Sequence, residues 1–318
     1  MPFLRFIPET TNVDFVGLRY YAFAVDGLLL LVAIVSIVWQ GFNLGIDFTG
    51  GVMIEAKAPF VMDDAHTHQI RDKVSTLNYG DLEVQSVAGG QCDKPRPPSC
   101  VMIRVQPSAT LTGEQQADAI KAKLGSSYSY LSTEVIGPKV SQELFSDGVK
   151  ATILAILLIA AYVAVRFEWQ YGIGALIATG HDVLVTAGMY SVLHLDFSLK
   201  SVAALLLLAG YSINDTVVVF DRIRENRRKY KRMSLPDLIN LSTNHIATRT
   251  TLVSVATALS IIPLFFYGGA ALFDFSAAIL FGIVVGTFSS TYVAAALLLY
   301  LPPVGGGGGA GTVQEKPA

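Results

Sequence analysis

Six stretches of the chain stay apolar for close to the ~20 residues that a helix needs to cross a ~30 Å hydrocarbon core. They run from about Tyr20 to Gly41, Val149 to Arg166, Tyr171 to Leu193, Lys200 to Phe220, Ile246 to Tyr267 and Phe275 to Tyr300. An even number of spans puts both ends of the chain on one side of the membrane. Between the first two spans, over residues 42–148, the pattern changes to short alternating runs. These predict strand (Val52 to Ala58), helix (Ala65 to Leu77), strand (Leu82 to Val87), strand (Val101 to Val105), helix (Gly113 to Leu124) and strand (Leu131 to Ile136). That order is a split βαβ, ferredoxin-like unit. The expected fold class is a polytopic α-helical membrane protein, six transmembrane helices with a ferredoxin-like α+β domain between helices 1 and 2.

Composition agrees. Of 318 residues, 15% are charged and 52% apolar, where a soluble domain carries roughly 25% charged. A soluble multidomain enzyme is therefore excluded. The net charge of −2 says little, but its distribution fixes an orientation. Arg5, Arg19, Arg166 and the cluster Arg222, Arg224, Arg227, Arg228, Lys229, Lys231 and Arg232 all fall on one face, expected to be cytoplasmic by the positive-inside rule. Residues 1–19, the basic loop 221–245 and the tail 301–318 then lie in the cytoplasm, and 42–148 lies outside it. The cluster could also serve as a nucleic-acid or anionic-lipid patch, but the topogenic reading is preferred and no nucleic acid is expected. The first span lacks a small-residue cleavage site and outruns a signal-peptide core, so it reads as an uncleaved anchor. The Pro/Gly-rich tail, with Gly305 to Gly309 consecutive, is expected to be disordered. Cys92 and Cys100 flank the tip between the middle strands; in an oxidising compartment a local disulfide is expected, with two free thiols as the alternative.

Ionisable residues inside a span cost roughly 2.5–3.5 kcal/mol at the helix centre and mark candidate function. Asp215 lies about six residues from the end of span four, in a turn with Ser212, Asn214 and Thr216. Arg249 lies just inside span five, at similar depth. A carboxylate alternating between an arginine partner and a proton makes a switch; a static Asp215–Arg249 bridge is the alternative. His181-Asp182, near the middle of span three, is a second candidate relay or else a helix-to-helix hydrogen bond. Asp26, about one and a half turns into span one, is expected to face the interface, and Asp221 to be solvated. Ala278, Gly282, Gly286 and Ser290 recur at four-residue spacing in span six, a packing signal. The chain lacks HExxH and GxSxG and shows no metal-ligand pattern. Neither enzymatic activity nor a cofactor is expected, only protons as the coupling ion.

The segments Gly45-Ile46-Asp47-Phe48-Thr49-Gly50-Gly51, Ile136-Gly137-Pro138-Lys139-Val140-Ser141, Arg166-Phe167-Glu168-Trp169, Gly210-Tyr211-Ser212-Ile213-Asn214-Asp215-Thr216, Arg249-Thr250 and Ser289-Ser290-Thr291-Tyr292 occur in this order over nearly the whole chain. In this the chain closely resembles the SecF side of the bacterial SecD/SecF protein-export family, within the resistance-nodulation-division (RND) superfamily. The resemblance implies an inner-membrane location, SecD as the partner supplying six more helices, and work on a preprotein leaving the SecYEG channel. YajC and membrane lipid complete the implied partners. It also implies a mechanism, late translocation driven by the proton motive force rather than ATP, with Asp215 as proton carrier and Arg249 as its cationic partner. Where the family tends to read Arg-Thr-x-x-Thr-Ser-x-Thr-Thr, Val253 and Ala256 replace two threonines here. Competing readings are an RND-type exporter of lipids or small hydrophobic molecules, and a non-transporting scaffold.

Overall fold

The computed structural model describes residues 11–79, 82–87, 92, 98–108, 111–268 and 270–302. Arg5, the tip at 93–97 and the tail from 303 onward lie outside the described residues. Among the described residues, six helices are long and apolar enough to cross a membrane: α1 (Arg19–Gln40), α5 (Pro138–Arg166), α6 (Trp169–Val192), α7 (Leu199–Lys229), α8 (Leu235–Tyr267) and α9 (Ala270–Phe288). The last continues through a π-helical turn, Ser289–Ala294, into the short α10 (Ala295–Leu297). α6, α7 and α9 form the centre, whereas α1, α5 and α8 leave most of their apolar surface outward.

Three helix bounds lie more than two turns beyond those expected. α5 starts at Pro138 rather than Val149. Proline fits the first helical turn, where its missing N–H has no acceptor to lose. The added turns pack on the short α2 (Ile46–Thr49): Phe145 meets Phe48 edge-on at 5.4 Å, and Ser141 Oγ donates to Ile46 O at 3.4 Å. The segment 221–245 is not one long loop. α7 runs on to Lys229 and α8 begins at Leu235, because arginine, lysine and glutamate favour helix as much as the apolar residues before them do. Arg227, Arg228 and Lys229 close α7 against the negative end of its dipole, and Ser234 caps α8 by accepting from Asp237 N at 3.3 Å.

The α+β domain contains β2 (Gly51–Lys57), α3 (Asp64–Ser75), β3 (Leu82–Val87), β4 (Cys100–Val105), α4 (Gly113–Leu124) and β5 (Ser129–Ile136). Its antiparallel sheet has the order β3-β4-β2-β5, the arrangement a split βαβ unit produces. Val52, Ile54 and Ile103 on one sheet face bury against Ile70 and Val74 of α3 and Ile120 of α4. A Thr112–Gln115 capping box starts α4. Cys92 and Cys100 are joined as a disulfide. Gly51 has φ +124°, and a Cβ there would stand 2.2 Å from Val105 O, so only glycine lets β2 lie this close to β4.

Two short strands tie this domain to the helices. β1 (Asn43–Leu44) pairs in parallel with β6 (Asp196–Phe197). Beside them, Asp47 Oδ2 accepts from Leu199 N at 2.8 Å, capping the start of α7.

Candidate functional site

A chain of polar groups crosses the helix bundle from α1 through α6 to α7. Asp182 is fully buried. Its Oδ2 accepts from Ser212 Oγ at 2.5 Å, and its Oδ1 lies 3.1 Å from His181 Nδ1. The other ring nitrogen, Nε2, lies 3.3 Å from the carbonyl oxygen of Asp26. These contacts fix a proton count. A carbonyl oxygen only accepts, so Nε2 carries hydrogen. A neutral imidazole then offers Nδ1 as a bare acceptor, and an ionised carboxylate is acceptor-only too. The Nδ1–Oδ1 contact is a hydrogen bond only when one further proton lies on that line, on the ring or on the carboxyl. α9 closes the pocket: a Cβ on Gly286 would lie 3.4 Å from both Asp182 Oδ2 and Ser212 Cβ. Gly282, one turn earlier, lets Leu208 of α7 press against the α9 backbone, so the small-residue spacing in span six is used for close helix approach.

Asp215 follows Ser212 by one turn of α7. It is 3% exposed, and its Oδ2 has no hydrogen-bond partner among the described residues. The static bridge to Arg249 does not form. Arg249 acts on Asp215 electrostatically from beyond ion-pair distance, and it is exposed on α8. There it lines an open cleft of about 570 Å³ with Arg166, Asp221, Arg222, Glu225 and His245. Hydropathy sets depth along a helix but not the direction a residue faces, and α8 is apolar on all sides. Asn214 is likewise exposed on the outer face of α7. Val253 is 38% exposed and points outward, so the threonine absent there would not line the interior; Ser254, in contrast, is buried and bonds Tyr211 (2.9 Å) and Thr287 (2.7 Å). Asp221 is exposed.

Hydropathy also passed over a second polar region, because its charges sit at span ends. The face of the sheet away from α3 and α4 looks across a cleft of about 430 Å³ at the ends of the membrane helices. Arg104 of β4 pairs there with Glu83 of β3 at 2.9 Å and with Asp196 of β6. Asp196 also accepts from Asn43 Nδ2 at 2.9 Å, and its amide donates to Asp274 Oδ2 at 3.2 Å. Burial pushes the Glu55 carboxyl in this cleft above its usual value; Lys200 opposes the shift and Glu134 adds to it.

The family model described as "Protein export membrane protein SecD/SecF, C-terminal" matches residues 116–303, and the "SecD/SecF GG Motif" matches residues 35–58. The chain is 36% identical over 295 residues to the protein translocase subunit SecF of Rickettsia prowazekii, covering 92% of this chain and 91% of that one. With SecF of Cereibacter sphaeroides the identity is 38%, over 92% and 90%. The protein translocase subunit SecDF of Brucella abortus matches at 37% identity over 92% of this chain, which corresponds to 37% of that longer protein. The crystal structure of SecDF from Thermus thermophilus, a translocon-associated membrane protein, superposes with a TM-score of 0.81 at 33% identity, over 92% of this chain and 39% of that one. With its six membrane helices, its GG turn at the start of β2 and these relatives, the chain belongs to the SecD/SecF family of protein-export membrane proteins.

Proposed function

We propose that this chain is a SecF-type subunit that works with SecD in the bacterial inner membrane, using the proton motive force to promote late, ATP-independent stages of preprotein translocation through SecYEG. The observation that carries the reading is the buried His181–Asp182 contact, whose partner Ser212 lies one helical turn from the buried Asp215. A bundle that only scaffolded other subunits would have no need to bury a proton-holding pair and a second carboxylate together. One charge crossing 100 mV is worth about 2.3 kcal/mol, enough to bias two arrangements of a docked domain. Asp215 and the His181–Asp182 pair with Ser212 are the proton carriers in this scheme. Arg249 and Asn214, on outward faces, meet the partner.

The positive-inside rule favours a cytoplasmic basic face, with both chain ends on that side and the α+β domain in the periplasm. SecD is favoured as partner because the matching part of the Brucella and Thermus SecDF chains is 37% and 39% of their length; a separate subunit would supply the rest. The outward-facing Asn214 of α7 suits that contact, since lipid would leave its amide unsatisfied. The preprotein at the exit of SecYEG is the cargo, YajC is a further partner, and the role is non-enzymatic.

The test replaces Asp215 with Asn in cells depleted of the native protein and follows release of a pulse-labelled secreted precursor, with SecD co-purification in parallel. Export lost with SecD still bound is the expected result. Normal export at wild-type abundance would overturn the proton-carrier reading.

A further inference from the structure

Asp26 was expected to face the interface, yet it is 3% exposed and neither carboxyl oxygen has a hydrogen-bond partner among the described residues. It lies seven residues into α1, roughly 10 Å along the helix from Arg19 at 1.5 Å per residue, on the side of the bundle that carries the basic cluster. α1 packs along α6, and His181 reaches across that contact to bind the carbonyl oxygen of this same residue. The titratable groups acting on its carboxyl, His181 and Asp182, both come from α6. The π-helical turn Ser289–Ala294 also packs on α1, but its titratable side chain, Tyr292, is taken up in ring contacts with Phe15 and Phe288. A buried carboxylate with neither oxygen paired is costly to keep ionised, and such a group takes up a proton instead. Among the described residues no arginine or lysine acts on this carboxyl to offset that cost, and no part of the scheme above uses the residue.

We infer that Asp26 is a further proton-binding residue of this subunit, exchanging its proton with the His181–Asp182 pair and so extending the polar chain from Asp215 and Ser212 across α6 to α1. The step is a simple transfer. Asp26 as a carboxylic acid gives its proton to the pair and becomes a carboxylate, while the pair passes its own proton by way of Ser212 to the Asp215 carboxylate, which becomes the acid; reversing the step restores both. The proton-exchanging groups are then Asp26, His181, Asp182, Ser212 and Asp215, contributed by three helices of a single subunit: His181, Asp182 and Ser212 are hydrogen-bonded in sequence, and the carboxyl groups of Asp26 and Asp215 flank them. This rests on the proton-coupled reading of the same site.

The experiment is pH-difference infrared spectroscopy on the full chain with its SecD partner in lipid vesicles, paired with the precursor-release assay. Asp26→Asn is expected to remove one carboxylic-acid C=O band, distinct from the band removed by Asp215→Asn, and to abolish proton-driven release with SecD still bound. Asp26→Glu, which keeps the exchangeable proton, is expected to restore both the band and release. Unchanged bands in Asp26→Asn, or normal release by that variant, overturn the inference. If Asp215→Asn abolishes release and Asp26→Asn does not, this inference alone fails. If Asp215→Asn releases precursor normally, the underlying proton-coupled reading fails.

Discussion

The guanidinium of Arg104, in the middle of the four-stranded sheet, donates to the carboxylate of Asp196, in the turn between α6 and α7. Asp196 is also bonded to Asn43 in the linker that leaves α1 and to Asp274 at the start of α9. Its carboxylate therefore joins the sheet to the linker, while its backbone amide holds the start of α9. Both side chains of the pair are largely enclosed, so the bond is better shielded than a surface ion pair. Loss of one charged partner costs about 1.5–3 kcal/mol. Asp196→Asn is predicted to leave each half folded while loosening the domain on the helices. Spin labels on α3 and on the α6–α7 turn would then show a broader distance distribution than wild type, and an unchanged distribution would mean that the paired strands β1 and β6 hold the domain unaided.

Glu55 gives that contact a pH dependence. Its pKa is raised by burial, so the folded state binds this proton more tightly than the unfolded chain does. The stabilisation is complete below the ordinary glutamate value and is lost as pH rises through the raised one. Glu55→Gln removes the charge that costs stability at high pH. The variant is predicted to melt at a higher temperature than wild type near about pH 8 and to match it near about pH 4, on either side of the glutamate range. An equal gap at both pH values would show that packing, not ionisation, separates the two proteins.

Asp182→Asn tests the proton count at the centre of the bundle. The asparagine amide can donate to a neutral His181 Nδ1, and its oxygen can still accept from Ser212, so the geometry survives without the extra proton. The predicted phenotype is a stable, SecD-associated subunit with no export. Nitrogen-15 spectra of His181 would show a neutral ring carrying hydrogen on Nε2. An imidazolium in the variant would place the proton's origin elsewhere.

The α+β domain was legible almost residue by residue. Its strands and helices are marked by short alternating runs, so Leu82–Val87 and Gly113–Leu124 matched as read. The membrane part was legible in depth but not in azimuth. Asp215 and Arg249 read as lying at similar depth, yet one faces the interior and the other an open cleft, because nothing in the apolar pattern of α8 says which way it turns. Asp26 was misplaced for the same reason. The Asp182–Ser212 bond depends on how closely α6 and α7 approach under Gly286, which is set by three helices together. The continuation of α7 past Phe220 was missed because hydropathy ends at the lipid boundary and helix propensity does not.

Gly286 separates close packing from chemistry. A methyl group there would meet Asp182 Oδ2 and Ser212 Cβ at 3.4 Å, ordinary van der Waals contact, and alanine also favours helix over glycine by roughly 1 kcal/mol. Gly286→Ala is therefore predicted to export normally and to be at least as stable as wild type. A leucine adds atoms where Asp182 and Ser212 already touch, and overpacking of this kind costs about 1–3 kcal/mol. Gly286→Leu is predicted to part Ser212 from Asp182 and abolish export with assembly retained, whereas Gly180→Leu, on the same depth of α6 but with nothing within 4 Å of its Cβ position, leaves the bond intact and export near normal. Precursor release measured for the three variants, with thermal melting of each, would decide it. Normal release by Gly286→Leu would show that the Asp182–Ser212 contact has no part in the proton path.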